Sequence, residues 1–192
     1  MWYANYNTVS TLRRCVGWAA MAIFGSIIAE GATLQQLSLD DMIAQSTAIV
    51  RGKVTGSYAA TSGPVIYTFY AIQVTEQFKG PTKSGWTVAV PGGTANNLRQ
   101  TFPGAPQFNT GDEFVFFLWT GRSGLTQVIG LTQGLFKLST VSSADPVATR
   151  AASSELMFER GTGRQVKDQT LVMNLSELRS RIASKLGSGG TR

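Results

Sequence analysis

In most apolar runs between Thr47 and Ser139 large side chains recur at every second position, a period that a pleated strand requires and a helix cannot satisfy. The run "TAIVRGKVTGSY" places Val50, Gly52 and Val54 on one side and Arg51 and Lys53 on the other. In "VIYTFYAIQVTEQFKG", Tyr70, Ile72, Val74 and Phe78 share a parity, Gln73 and Thr75 take the other, and Gly80-Pro81 ends the strand. "GWTVAVPGG" gives a third strand with Trp86, Val88 and Val90 in step, stopped by Pro91-Gly92-Gly93. "EFVFFLW" is apolar on both parities, which predicts a central strand covered on both faces. After the turn "TGRSG", "LTQVIGLTQGLFKLS" supplies a fifth strand bent at Gly130 or Gly134.

Two helices flank these strands. Ser38 followed by Asp41 resembles a capping box, and Leu39, Met42 and Ile43 fall on one face, so a short helix is expected from Leu39 to Gln45. Asp40 and Asp41 then serve its first turn; adjacent helical residues diverge by about 100°, which does not suit a catalytic carboxylate pair. Near the C-terminus, "NLSELRSRIASKL" has Asn174 as cap, Glu177 at the third position and Leu175, Leu178, Ile182 and Leu186 on one face. Between these landmarks, residues 94–110 read as an extended polar loop and residues 140–155 as a polar segment. "LMFERGTGRQVKD" reads as a hairpin around Gly161-Thr162-Gly163. The pattern predicts a mainly β, five-stranded, OB-like, partly open barrel with a short N-terminal and a C-terminal helix; a sandwich is the alternative.

Ahead of the strands, Arg13-Arg14 precede an uncharged apolar run, Cys15 to Ala29, and small residues follow in Ala29-Glu30-Gly31-Ala32. This is the layout of a secretory signal peptide, residues 1–31, with cleavage after Gly31 or Ala32. The run is about fifteen residues, short of the roughly 20 that a spanning helix needs; an uncleaved N-terminal anchor is the alternative. A single domain, residues 32–187, and a flexible tail, 188–192, complete the expected organisation. The expected destination is the medium, the periplasm or the cell envelope.

Composition then removes whole classes of chemistry. The chain has no histidine, which excludes a Ser-His-Asp hydrolase, a His-ligated zinc centre and a His-ligated haem. Its one cysteine, Cys15, leaves with the signal, so the mature domain has no disulfide, thiolate metal site or cysteine nucleophile. The chain carries 17 basic and 11 acidic residues; removing Arg13, Arg14 and Glu30 leaves 15 and 10, a net charge of +5. These charges are scattered rather than striped, which reads as a solvated surface and not a nucleic-acid face. Glu76, Asp112 and Glu113 are the acids associated with the strands; Glu76 reads as a solvated strand end and Asp112 as a turn residue. No Asp-x-Asp spacing suggests a calcium loop. No cofactor, metal or catalysis is expected.

The order of motifs from Leu39 to Leu138 resembles a known family. "AQSTAIVRGKV", a gap, "IYTFYAIQVTEQFKGP" and then "GDEFVFFL" are similar to the N-terminal domain of the tissue inhibitors of metalloproteinases, within the netrin-like group of OB-fold barrels. The matching places are Ser46-Thr47, Ile49 to Val54, Tyr67 to Val74 and Phe78-Lys79-Gly80-Pro81. The chain is also similar to exported bacterial proteins with "VRGKV…KG…PGG…GDEFVFFL" patterns. The resemblance implies an OB-type barrel. Its inhibitory function depends on a cysteine-anchored N-terminus laid over a catalytic zinc, and this chain has no such cysteines; an unanchored strand loses affinity to ordering entropy.

The expectation is therefore an exported, non-catalytic binding or interaction domain whose partner is another exported protein or an envelope component. A protease inhibitor-like protein and a structural envelope or assembly component are the alternatives. OB-type barrels bind with one sheet face and its adjacent loops, which nominates Asn96, Asn97, Arg99, Gln100 and Phe102 in the long loop and Arg51 and Lys53 on the first strand.

Overall fold

A computed structural model describes residues 33–139 and 145–188. The expected signal peptide with its cleavage point, Cys15 and residues 189–192 of the expected tail lie outside the described residues. The fold is mainly β with two helices. The strands are β1 (Thr33–Gln35), β2 (Ala48–Ser62), β3 (Val65–Lys79), β4 (Gly85–Pro91), β5 (Gly93–Ala95), β6 (Leu98–Gln100), β7 (Glu113–Thr120), β8 (Thr126–Val128), β9 (Leu135–Ser139), β10 (Val147–Arg150), β11 (Leu156–Phe158), β12 (Gln165–Val166) and β13 (Leu171–Asn174). The helices are α1 (Leu39–Gln45) and α2 (Leu175–Ser188).

The main sheet runs β13-β10-β9-β7-β2-β3-β4, with β8 also paired to β7. β7 lies between β2 and β9, as its two apolar parities require. Phe114, Phe116 and Leu118 join Val50, Val54, Tyr70, Ile72, Val88 and Val90 in an inner cluster. Val115 and Phe117 join Ile49, Phe136, Ala148 and Met173 in an outer cluster, which α1 and α2 cover with Met42, Ile43, Leu178 and Ile182. Burying such side chains contributes about 1.5–3 kcal/mol each, and a chain without disulfides relies on it.

The β2–β3 hairpin is long and its register is interrupted at Ile49/Val50, Arg51/Gly52 and Val54/Gly56, the places where bulges bend a strand. Gly52 permits the middle one: a Cβ there would stand 2.6 Å from Ile72 Cγ2 and 2.8 Å from the Gln73 carbonyl oxygen. Across the inner cluster β4 lies beside β8, where Val88 and Val90 pack together with Val128.

Several expectations are corrected. The fifth strand is not one bent strand: β8 and β9 lie along the same edge of β7, interrupted by a turn that holds both Gly130 and Gly134. Within it Phe117 N donates to the Gly134 carbonyl (2.9 Å), and Ile129 N to the Phe117 carbonyl (3.0 Å), so the gap satisfies the central strand's backbone. The β5–β6 hairpin occupies the start of the expected polar loop 94–110, and the polar segment 140–155 contains β10. The described residues hold thirteen strands, the mainly β class that was expected, and no ladder joins β4 to β8 among them, so the sheet does not close into a barrel.

The short helix begins as its sequence demands. Ser38 Oγ accepts from Asp41 N (3.0 Å) and the Asp41 carboxylate accepts from Ser38 Oγ (2.6 Å). At its other end Lys79 Nζ donates to the carbonyls of Ile43 (2.6 Å) and Ala44 (3.0 Å). Asn174 does not cap α2. The chain passes into the helix directly from β13, and Asp145 takes the capping role, accepting from Ser176 N (3.1 Å) and Ser176 Oγ (2.5 Å). α2 runs through Ser188, one residue into the expected tail.

Candidate functional site

The structure separates the nominated residues into two groups. Asn96 and Asn97, at φ 51° and 59°, form the two-residue connection of the β5–β6 hairpin, a geometry that asparagine tolerates and that matches the strand twist. Gln100 is committed to structure: its Oε1 accepts from Ile66 N (2.6 Å) and its Nε2 donates to the Pro64 carbonyl (3.1 Å). Arg99 is exposed and Phe102 is partly exposed beside Gly92. The hairpin packs on the inner side of the β2–β3 tip; a Cβ on Gly93 (φ 131°) would meet Thr68 Oγ1 at 2.5 Å and Ala59 Cβ at 3.4 Å.

Arg51 and Lys53 stand on the opposite, outer face. Arg51 Nε donates to Glu113 (2.7 Å), while Lys53 is exposed. Lys53 and Ala59 are six residues apart on β2, roughly 20 Å at the usual strand rise. The two nominated groups therefore do not form one site.

The strand-associated acids are accounted for by structure. Glu76 pairs with Arg179 Nε (2.8 Å) and Nη2 (3.0 Å) on α2. Asp112 accepts from Asn109 N (2.8 Å), and that bond, helped by Lys137, holds its carboxyl below the ordinary range. Among the described residues no group of three or more acidic, histidine or cysteine side chains is placed to hold a metal.

What remains is a cleft of about 300 Å³ at the open seam between β4 and β8. Ala89, Val90 and Pro91 form one wall, Trp119 and Gln127 the other, and Leu34 of β1 closes an end. No charged residue lines it. Trp119 is 46% exposed although Phe114 to Leu118 before it are buried. Its position explains this: it sits near the end of β7, past the reach of the helices, and pairs with Gln127 of the short β8. Leu34 is held by its neighbours, because Gln133 donates to the Gln35 carbonyl (2.9 Å) and accepts from Leu37 N (2.8 Å).

Reading the sequence did not nominate this cleft. Its walls come from four separate segments, and only Trp119, a tryptophan in a run otherwise suited to burial, carried a local signal. Compared with known proteins, the chain matches no family model, no curated protein and no solved structure.

Proposed function

We propose that this chain is an exported, non-catalytic binding domain that takes its ligand in the uncharged cleft between β4 and β8. The observation that carries the reading is that apolar cleft, flanked by a half-exposed tryptophan, with no titratable group among its lining residues. In the same reading β2, β3, β4, β7 and the β8–β9 pair form an OB-like, partly open barrel, and the cleft is its seam. The resemblance to the netrin-like group supports this arrangement, as do the register shifts of the β2–β3 hairpin.

The test is affinity capture from envelope and culture medium, with the protein and its Trp119→Ala variant as parallel baits. A component retained by the first and lost from the second supports the reading. Equal retention by both, or mutation-sensitive turnover in a hydrolase screen, overturns it.

A second reading, protease inhibition by the segment ahead of α1, is favoured by one observation. β1 lies in parallel register with β11, Thr33 opposite Leu156, and Gln133 ties the residues that follow, so this segment is fixed without disulfides. Inhibition of a zinc endopeptidase by protein beginning at Ala32, abolished by one added N-terminal residue, would support it.

A further inference from the structure

The outer face beside the cleft lies outside the cover of the helices, with Tyr58 exposed and Tyr67 and Phe69 half-buried. Helices cover it over Ile49, Val115 and Phe117, but not over the far half of β2, β3 and β4. There Tyr58 stands opposite Phe69, and Phe69 opposite Ala89; one pair further out, Ala60 faces Tyr67 and Tyr67 faces Pro91. Tyr70, Val88 and Val90 point into the inner cluster, so the alternate positions Tyr58, Tyr67 and Phe69 point outward. Tyr58 and Phe69 stack at 5.1 Å and 17°, and Tyr67 lies 6.1 Å from Phe69. Tyr58 is 62% exposed. Ala89 and Pro91 are walls of the cleft, so the aromatic row runs into it, and Trp119 stands across from them.

This surface is free of charge over long stretches of sequence. No charged residue occurs between Lys53 and Glu76, between Lys83 and Arg99, or between Glu113 and Arg122. Its polar groups are neutral and unengaged: among the described residues the hydroxyls of Tyr58 and Tyr67, the Trp119 indole N–H and the Gln127 amide make no hydrogen bond.

We propose that the cleft and the adjoining aromatic row bind an uncharged carbohydrate chain, a proposal that rests on the reading of the protein as an exported binding domain. A sugar ring lays its C–H face on an aromatic ring and offers hydroxyls to neutral donors and acceptors, and this surface supplies both. A charged ligand would lose its hydration without gaining a counter-charge. An acyl chain would leave the Gln127 amide and the Trp119 N–H covered without partners. A peptide strand added to β4 would meet Pro91, which has no N–H to give. The cleft's volume is at the small end for ligand sites, which suits a sugar unit seated there with the rest of the chain along the aromatic row.

The test is electrophoresis of the full chain through native gels containing hydroxyethylcellulose, laminarin, xylan, galactomannan or glycogen, with alginate as the anionic control. Retardation by at least one neutral polymer, insensitive to salt, is expected. It should weaken at least tenfold in Trp119→Ala and in Tyr67→Ala, and persist in Arg99→Ala. Trp119→Phe, which keeps a ring, should retain most of it, and matched melting curves show that the variants are folded. No retardation by any neutral polymer overturns the proposal, as does retardation by alginate alone, or binding indifferent to Trp119 and Tyr67. A dimer dissociated by Trp119→Ala also overturns it, because a second copy would then occupy the surface. A protein partner captured through Trp119 without polysaccharide binding overturns the carbohydrate assignment and leaves the binding-domain reading standing. No ligand of either kind that depends on Trp119 overturns both.

Discussion

Gln133 clasps the backbone around Leu37, donating to the carbonyl two residues before it at 2.9 Å and accepting from Leu37 N at 2.8 Å. Its side chain is almost wholly buried. One amide thereby fastens the segment ahead of α1 to the turn between β8 and β9. Replacing Gln133 by Leu removes both bonds and leaves two backbone groups without partners, which should cost about 1–3 kcal/mol. Amide exchange would locate the effect: Leu37 should lose protection while Phe116 and Phe117 keep theirs.

The acid limb of the stability curve should depend on two carboxylates. Hydrogen bonds from Ser38, with the charges of Arg160 and Lys185, hold the Asp41 carboxyl below its ordinary value near 3.8, and the Asn109 N–H does the same for Asp112. A depressed folded-state value means that the stabilisation is present above the unfolded value and is lost as pH falls through the folded one. Stability should therefore decline below about pH 4, and Asp112→Asn should flatten that decline. Urea melts at pH 6 and pH 3 would show it; an unchanged pH dependence in the variant would refute the assignment.

Two nearby glycines on β2 should respond with opposite signs. A Cβ on Gly52 would be forced to within 3 Å of Ile72 and the Gln73 carbonyl, so Gly52→Ala should destabilise by about 1–3 kcal/mol. A Cβ on Gly56 would meet nothing within 4 Å, so Gly56→Ala should be neutral or stabilising by up to about 1 kcal/mol. Denaturant midpoints of the pair check both at once.

The ion pair between Arg150 Nη2 and Asp168 Oδ1, at 2.7 Å, is nearly inaccessible to solvent. Arg150 Nη2 also donates to the Gln169 carbonyl (2.6 Å), but its Nε and Nη1 are buried without partners. Asp168→Ala should cost about 3–5 kcal/mol, because it strands the guanidinium. The double replacement Arg150→Met, Asp168→Leu should recover most of that loss. A double variant as unstable as the single one would show that the pair does more than neutralise itself.

The order of secondary structure was legible where one element reports its own periodicity. The β2–β3 hairpin, β4, β7, α1 and α2 follow from alternation, glycine–proline stops and apolar helix faces in the sequence. β1 and β10 were not, because strands this short carry almost no period and are defined by their partners. The α2 cap was missed for a related reason: Asp145 reaches it through space from a distant segment. Of the nominated site residues, Asn96, Asn97 and Gln100 have turn and stitching roles, which polar composition alone cannot distinguish from ligand contacts. Tyr67 and Phe69 did carry a signal, since they fall on the polar parity of β3, opposite Tyr70 and Ile72.

The parallel pairing of β1 with β11 also has a bearing on the order of assembly. Thr33 waits for Leu156, so a chain emerging N-terminus first must deliver almost all of itself before its first strand has anywhere to dock. Closure of β1 onto β11 and the Gln133 clasp would then mark the end of folding, making the earliest-emerging described strand the last to settle.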